Sequence, residues 1–242
     1  LLAAGGSPIM SDDADDVEDI TSICGGLNIN IGTLNKNTIP SMFLAGKKAN
    51  ELGRIVLLDP VGAGASRLRT DTANRLMQEV RFDAVRGNIS EIKTLCTGSG
   101  STKGVDADAV DAVTEANLDD GVQLVKTFAQ RAGCIVAVTG AIDLVSDGER
   151  CWCIRNGRAE MSRITGTGCQ LSALMTAFLV ANPDRKLDAA AAAVCMMGLA
   201  GEIGWANMQP GDGNSTYRNR IIDAIFNMTG DALEEGAKYE LR

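Results

Sequence analysis

The chain contains no histidine, which removes the Ser–His–Asp triad, every imidazole general base and every His metal ligand. It also has no basic block. Its 31 acidic and 23 basic residues are interspersed, for a formal net charge of −8, which argues against a nucleic-acid or anionic-membrane surface. A phosphate compound would have to be held locally, by a few arginines, a metal or backbone N–H groups. No apolar run approaches membrane-spanning length. The seven cysteines include no C-x-x-C pair. Cys24, Cys134 and Cys195 lie in apolar or small-residue runs and read as small core residues. Cys151 and Cys153 alternate along one strand, point to the same face and make poor disulfide partners. An odd number of thiols without a secretion signal points to a reducing cytoplasm.

Absent motifs narrow the chemistry further. There is no G-x-x-x-x-G-K-S/T, so a P-loop kinase is excluded, and the Gly-rich loop and D-F-G set of a protein kinase are missing. Gly62-Ala63-Gly64-Ala65-Ser66-Arg67 lacks the third glycine of a dinucleotide fingerprint.

What is present is an apolar fraction of 45% over 242 residues, enough for one large α/β domain or two small ones. Alternation at Leu27–Ile31, buried runs at Ile55–Leu58, Ala84–Arg86 and Cys134–Val138, and a hairpin signal at Asp147-Gly148 predict strands. A further short strand is expected over Ala159–Arg163. Helices are expected over 41–52, 70–80, 88–95, 119–131, 170–180, 188–205, 217–228 and 231–238. Thr97–Asp106 is Gly/Ser-rich and reads as a mobile loop. Leu1 to Gly6 resembles the last turn of a helix with a glycine stop. With no repeat and no linker, the pattern predicts a single α/β domain, doubly wound, with a mainly parallel sheet and helices on both faces.

Ligands of open α/β sheets bind beyond the carboxyl ends of the strands. Those ends carry Gly32, Asp59, Arg86-Gly87-Asn88, Thr139-Gly140 and Gly166-Thr167-Gly168-Cys169. This row suits a polyphosphate and a metal better than an apolar ligand. Each member has a plainer reading. Gly166–Gly168 is either an anion pocket at a helix start, with the Cys169 thiol at its edge, or a tight turn with Thr167 as N-cap. Asn88-Ile89-Ser90-Glu91 is a capping box or a carboxylate holding Mg²⁺ through water. Asp59 is a turn former ahead of Pro60 or a second acid near the metal. Arg86 is a surface cation or a bidentate phosphate contact. Thr139 could merely cap a loop, and Met10 alone reads as core or gap filler.

Several segments in order carry a resemblance: Gly6–Met10, Asn30–Leu34, Leu58–Gly64, Arg86–Ile92, Lys103–Asp106, Val138–Gly140 and Gly166–Cys169. Together they resemble hydroxyethylthiazole kinase of thiamin salvage. The resemblance implies a ribokinase-like fold, γ-phosphoryl transfer from ATP to the hydroxyl of 4-methyl-5-(2-hydroxyethyl)thiazole, Mg²⁺, a homotrimer and active sites at subunit interfaces. It implies that Met10 and Gly166 contact the thiazole. Arg86, Thr139 and Gly168 would meet ATP, and Asp59 and Glu91 would organise Mg²⁺. Cys169 stands where related sugar kinases place an Asp base, and its thiol is either base or positioner. The family's first strand and helix would precede Leu1, and Pro210–Ser215 replaces a tighter Gly-rich turn. Two alternatives stay open: a kinase for another hydroxymethyl heterocycle, and a catalytically weak phosphate-binding module.

Overall fold

The computed structural model describes residues 1–97 and 112–242. Most of the Gly/Ser-rich stretch expected to be mobile, and the Lys103–Asp106 segment, lie outside the described residues. The strands are β1 (Gly26–Asn30), β2 (Ile55–Asp59), β3 (Ala84–Asn88), β4 (Ile135–Thr139), β5 (Asp143–Ser146), β6 (Cys151–Ile154) and β7 (Tyr239–Leu241). The helices are α1 (Val17–Ile23), α2 (Thr38–Glu51), α3 (Arg67–Glu79), α4 (Ile89–Thr97), α5 (Leu118–Ala132), α6 (Thr167–Ala181), α7 (Lys186–Ala206), α8 (Asn214–Asn227) and α9 (Gly230–Gly236). One sheet runs β1-β2-β3-β4-β5-β6-β7. Strands β1 to β4 are parallel and β5 to β7 extend the sheet antiparallel.

Alternation along the strands divides the core in two, as the period-2 geometry requires. Val56, Leu58, Val85 and Val136 pack under α2 to α5 with Phe43, Leu76, Ile92 and Phe128. Leu57, Ala84, Ile135 and Ala137 face the other way, against α6, α7 and α8 with Leu174, Met175, Val194 and Ile221. Helices therefore cover both faces of the sheet, as expected.

Three sequence expectations change. Ala159–Arg163 is a 3-10 turn, not a strand; Met161 and Ile164 close local turns, and the Met161 side chain is drawn onto Gly201 of α7. β7 is a strand just beyond the helix expected over 231–238: the Arg155 N–H donates to the Lys238 carbonyl, and Cys151 and Arg242 exchange backbone bonds. And the 183–206 segment is, by length and composition, apolar enough to cross a membrane, with mean hydropathy 1.4. That value belongs to its most apolar 18-residue stretch, 67% of which is buried in the fold, and a helix enclosed on most sides is apolar on most sides.

The topology places the carboxyl ends of β1, β2, β3 and β4 side by side. α6 packs across β1 and β2, which brings its N-terminus to the same end.

Candidate active site

Gly166 occupies the left-handed region at φ 90°, and α6 starts at the next residue, with the Gln170 N–H donating to the Gly166 carbonyl at 2.9 Å. Nothing lies where a Gly166 side chain would go, so the positive φ alone asks for glycine. Thr167 is the first helical residue rather than the N-cap, and no side chain caps this helix. Its first N–H groups and the positive end of its dipole are directed at the strand ends.

Gly168 is glycine for a different reason. A Cβ there would sit 2.8 Å from Nη2 of Arg86, so the missing side chain is what lets the guanidinium lie against the helix start. Nη2 of Arg86 donates to Oγ1 of Thr139. Nη1 stands 3.8 Å from Oδ1 of Asp59, and Nε is buried without a hydrogen-bond partner. The structure thus brings Arg86, Thr139 and Gly168 together at one point.

Asp59 ends β2 with no exposed surface. Its Oδ2 accepts from Nδ2 of Asn30 and from Oγ of Ser172, both at 2.8 Å. Its Oδ1 has no hydrogen-bond partner. Burial raises the carboxyl above its ordinary range, opposed by the Arg86 charge and these hydrogen bonds. Glu91 is also buried. Oε1 accepts from the Gly62 N–H at 2.7 Å and Oε2 from the Asn88 N–H at 2.8 Å, while Oδ1 of Asn88 accepts from the Glu91 N–H at 2.9 Å. The capping box is therefore formed, and Glu91 also fastens the loop after β2. Burial pushes Glu91 up to about 6, against the backbone bonds and Arg86; the Asp59 charge adds to the rise.

Among the described residues no group of three or more His, Cys, Asp or Glu surrounds a metal position. Two carboxylates, one with a bare buried oxygen, do fit Mg²⁺, which keeps several waters and takes its remaining ligands from phosphates.

The Cys169 thiol is exposed at the first turn of α6. Its pKa is raised, first by desolvation and then by the Asp59 charge, while a hydrogen bond with Asn30 and the Arg86 charge oppose. The net shift is upward, so the resting thiol keeps its proton. Met10 is 90% exposed, so within one chain it is not packed against this cluster.

Three residues at the site escaped the sequence reading. Asn30 and Ser172 anchor Asp59 from β1 and α6. Asp143 accepts from the Gly140 N–H at 2.8 Å; burial pushes its carboxyl up to about 7, opposed by that bond and by Arg86, and it shapes the turn after Thr139. Ser172 lies one helical turn beyond Cys169, and Asn30 opens a segment that carries the resemblance, but neither was read as a site residue. A cavity of about 370 Å³ lined by Trp152, Asp188, Cys195 and Tyr239 holds none of these groups.

Comparisons with known proteins place the chain in a family. The model of the hydroxyethylthiazole kinase family matches residues 1–231. Hydroxyethylthiazole kinase of Clostridium acetobutylicum is 55% identical over 240 residues, 99% of this chain and 88% of the relative. That of Clostridium beijerinckii is 46% identical over 99% of this chain and 86% of the relative. The solved structure of hydroxyethylthiazole kinase from Pyrococcus horikoshii superposes with a TM-score of 0.86 at 30% identity, covering all of this chain and 86% of that one. Staphylococcus aureus pyridoxal kinase in complex with ADP, at TM-score 0.59 and 19% identity over 94% of this chain and 77% of that one, shares the ribokinase-like fold.

Proposed function

The chain belongs to the hydroxyethylthiazole kinase family, and we infer that it transfers the γ-phosphoryl group of ATP to the hydroxyl of 4-methyl-5-(2-hydroxyethyl)thiazole in thiamin salvage. The observation that carries the site assignment is the convergence of an uncapped helix start, Arg86 and the bare oxygen of Asp59 at the carboxyl end of one sheet. Phosphoryl transfer needs positioning and charge stabilisation more than covalent help, and this set supplies both.

The N–H groups of Gly168 and Cys169 receive the transferring phosphoryl as charge grows on its oxygens. Arg86, held by Thr139, neutralises the nucleotide phosphates. Gly166 shapes the turn against which the thiazole alcohol lies. Asp59 and Glu91 would hold Mg²⁺, and the ion would neutralise charge on the phosphates. Cys169 acts as a protonated positioner: a loose transition state needs little early deprotonation of the alcohol.

The exposed Met10 supports a homotrimer in which one subunit's Met10 reaches the thiazole site of its partner. We take residues 1–242 as one ribokinase-like domain working in the cytoplasm, a compartment that suits its seven free thiols. The test is ADP release with ATP, Mg²⁺ and the thiazole alcohol. Thiazole-dependent ADP is expected; its absence, or equal turnover of a hydroxymethylpyrimidine, overturns the assignment.

A further inference from the structure

A buried aspartate and a buried arginine facing each other normally close into a short, two-toothed ion pair. Asp59 and Arg86 do not. Oδ1 of Asp59 and Nη1 of Arg86 are 3.8 Å apart, with Asp59 fully buried and the Arg86 side chain 11% exposed. Both residues keep an unsatisfied polar atom in the interior, Oδ1 of Asp59 and Nε of Arg86. Two buried unsatisfied atoms on facing partners call for an explanation.

The explanation lies on the far side of the carboxylate. Two donors go to the same oxygen, Oδ2: Nδ2 of Asn30 from β1 and Oγ of Ser172 from α6; the Cys169 thiol also acts on the carboxylate. Oδ2 takes one donor on each lone pair, which leaves Oδ1 with neither of them. Asn30 cannot turn away, because its own Oδ1 accepts from the Gly32 N–H at 2.8 Å, and a side chain at position 32 would meet that oxygen at 2.8 Å. The Ser172 hydroxyl also lies 3.3 Å from the Gly168 carbonyl, which couples the carboxylate to the turn where the anion is received.

We propose that Ser172 and Asn30 are positioning residues that hold Asp59 off Arg86, so that carboxylate oxygen and guanidinium both stay available for nucleotide and cation instead of neutralising each other. This rests on the kinase reading of the site. Without the Ser172 hydroxyl only Asn30 still holds Oδ2, so the carboxylate can tilt toward Arg86 and draw the guanidinium away from Gly168.

The test compares Ser172→Ala and Ser172→Thr with the unchanged chain, by steady-state kinetics and by direct binding of Mn²⁺·ADP followed by titration calorimetry. Loss of a hydrogen bond to a charged group predicts, for Ser172→Ala, about a tenfold fall in both kcat and Mn²⁺·ADP affinity. The KM for the thiazole alcohol should stay within about twofold, and Ser172→Thr, which keeps the hydroxyl, should recover most of both losses. A Ser172→Ala chain that matches the unchanged chain in kcat and Mn²⁺·ADP affinity overturns the proposal. So does a Ser172→Thr chain as impaired as the alanine variant while melting like the unchanged chain. Should Ser172→Ala not fold, Asn30→Ala is judged by the same two readouts. Failure of the kinase reading would appear as absent thiazole turnover in the unchanged chain, whereas the calorimetric comparison would still decide the role of Ser172.

Discussion

Two of the helices that begin at the carboxyl end of the sheet, α4 and α6, begin in opposite ways. α4 closes its own N-terminus: the Asn88 and Glu91 side chains and backbones bond each other reciprocally, which satisfies donors that would otherwise face the strand ends. α6 starts from a left-handed glycine with no side-chain cap, and a guanidinium rests on its first turn. The first arrangement stabilises a helix. The second leaves donors and dipole unmatched at the one place where an anion would match them. The difference teaches which N-terminus is closed around its own carboxylate and which is open to an anion, and it can be broken from either side.

Closing the open start should have the largest effect. Gly168→Ala pushes a methyl group into the Arg86 guanidinium, and kcat should fall by about 10²-fold, the scale of losing one preorganised donor, with little change in melting temperature. Kinetics and calorimetric melting on the same preparation check this.

Next is the carboxylate of the closed start. Glu91 has a folded pKa of about 6 against an ordinary 4.5. Below 4.5 it is protonated in both states and its burial is free of charge cost. As pH rises the unfolded chain ionises first, so stability is lost up to about pH 6 and then levels off. Relative to Glu91→Gln, the unchanged chain should lose on the order of 2 kcal/mol between pH 4.5 and 6.5, read from urea unfolding at both values. At the lower pH Glu91→Gln should be close to neutral, because the protonated carboxyl already turns a donor toward one of its two backbone N–H groups, as the amide does.

Opening the closed start is milder. Asn88→Ala should cost about 1 kcal/mol of stability and leave thiazole turnover within about fivefold, since the cap does not touch the phosphoryl group. Smallest is Cys169→Ala. A protonated positioner predicts a kcat loss well under the ~10²-fold that removing a general base brings; a larger loss, with the fold intact, would return Cys169 to the role of base.

The contrast between the two starts also marks how far the sequence could be read. Parallel strands and their helices are local patterns, so β1 to β4 and α2 to α7 stand close to where periodicity and glycine stops put them. β7 and the 3-10 turn at Ala159–Arg163 depend on distant partners, the β6 edge and Gly201, and no local signal announces them. At the site, Asp59, Arg86, Glu91, Thr139 and Gly168 were legible because strand ends are chemically exposed places, and polar residues there need a reason. Asn30, Ser172 and Asp143 were not: each matters through a contact that only the folded chain makes, Ser172 reaching Asp59 across 113 residues. Whether the α6 turn is an anion site or an ordinary turn stays ambiguous in Gly-Thr-Gly, and it is the absence of a cap together with the approach of Arg86 that separates the two.

The most direct test of that distinction is a crystal structure with ADP, Mg²⁺, aluminium fluoride and the thiazole alcohol. The planar fluoride should lie against the N–H groups of Gly168 and Cys169, with Arg86 turned onto the nucleotide phosphates. Fluoride bound instead at the start of α4, or away from both helices, would contradict the account.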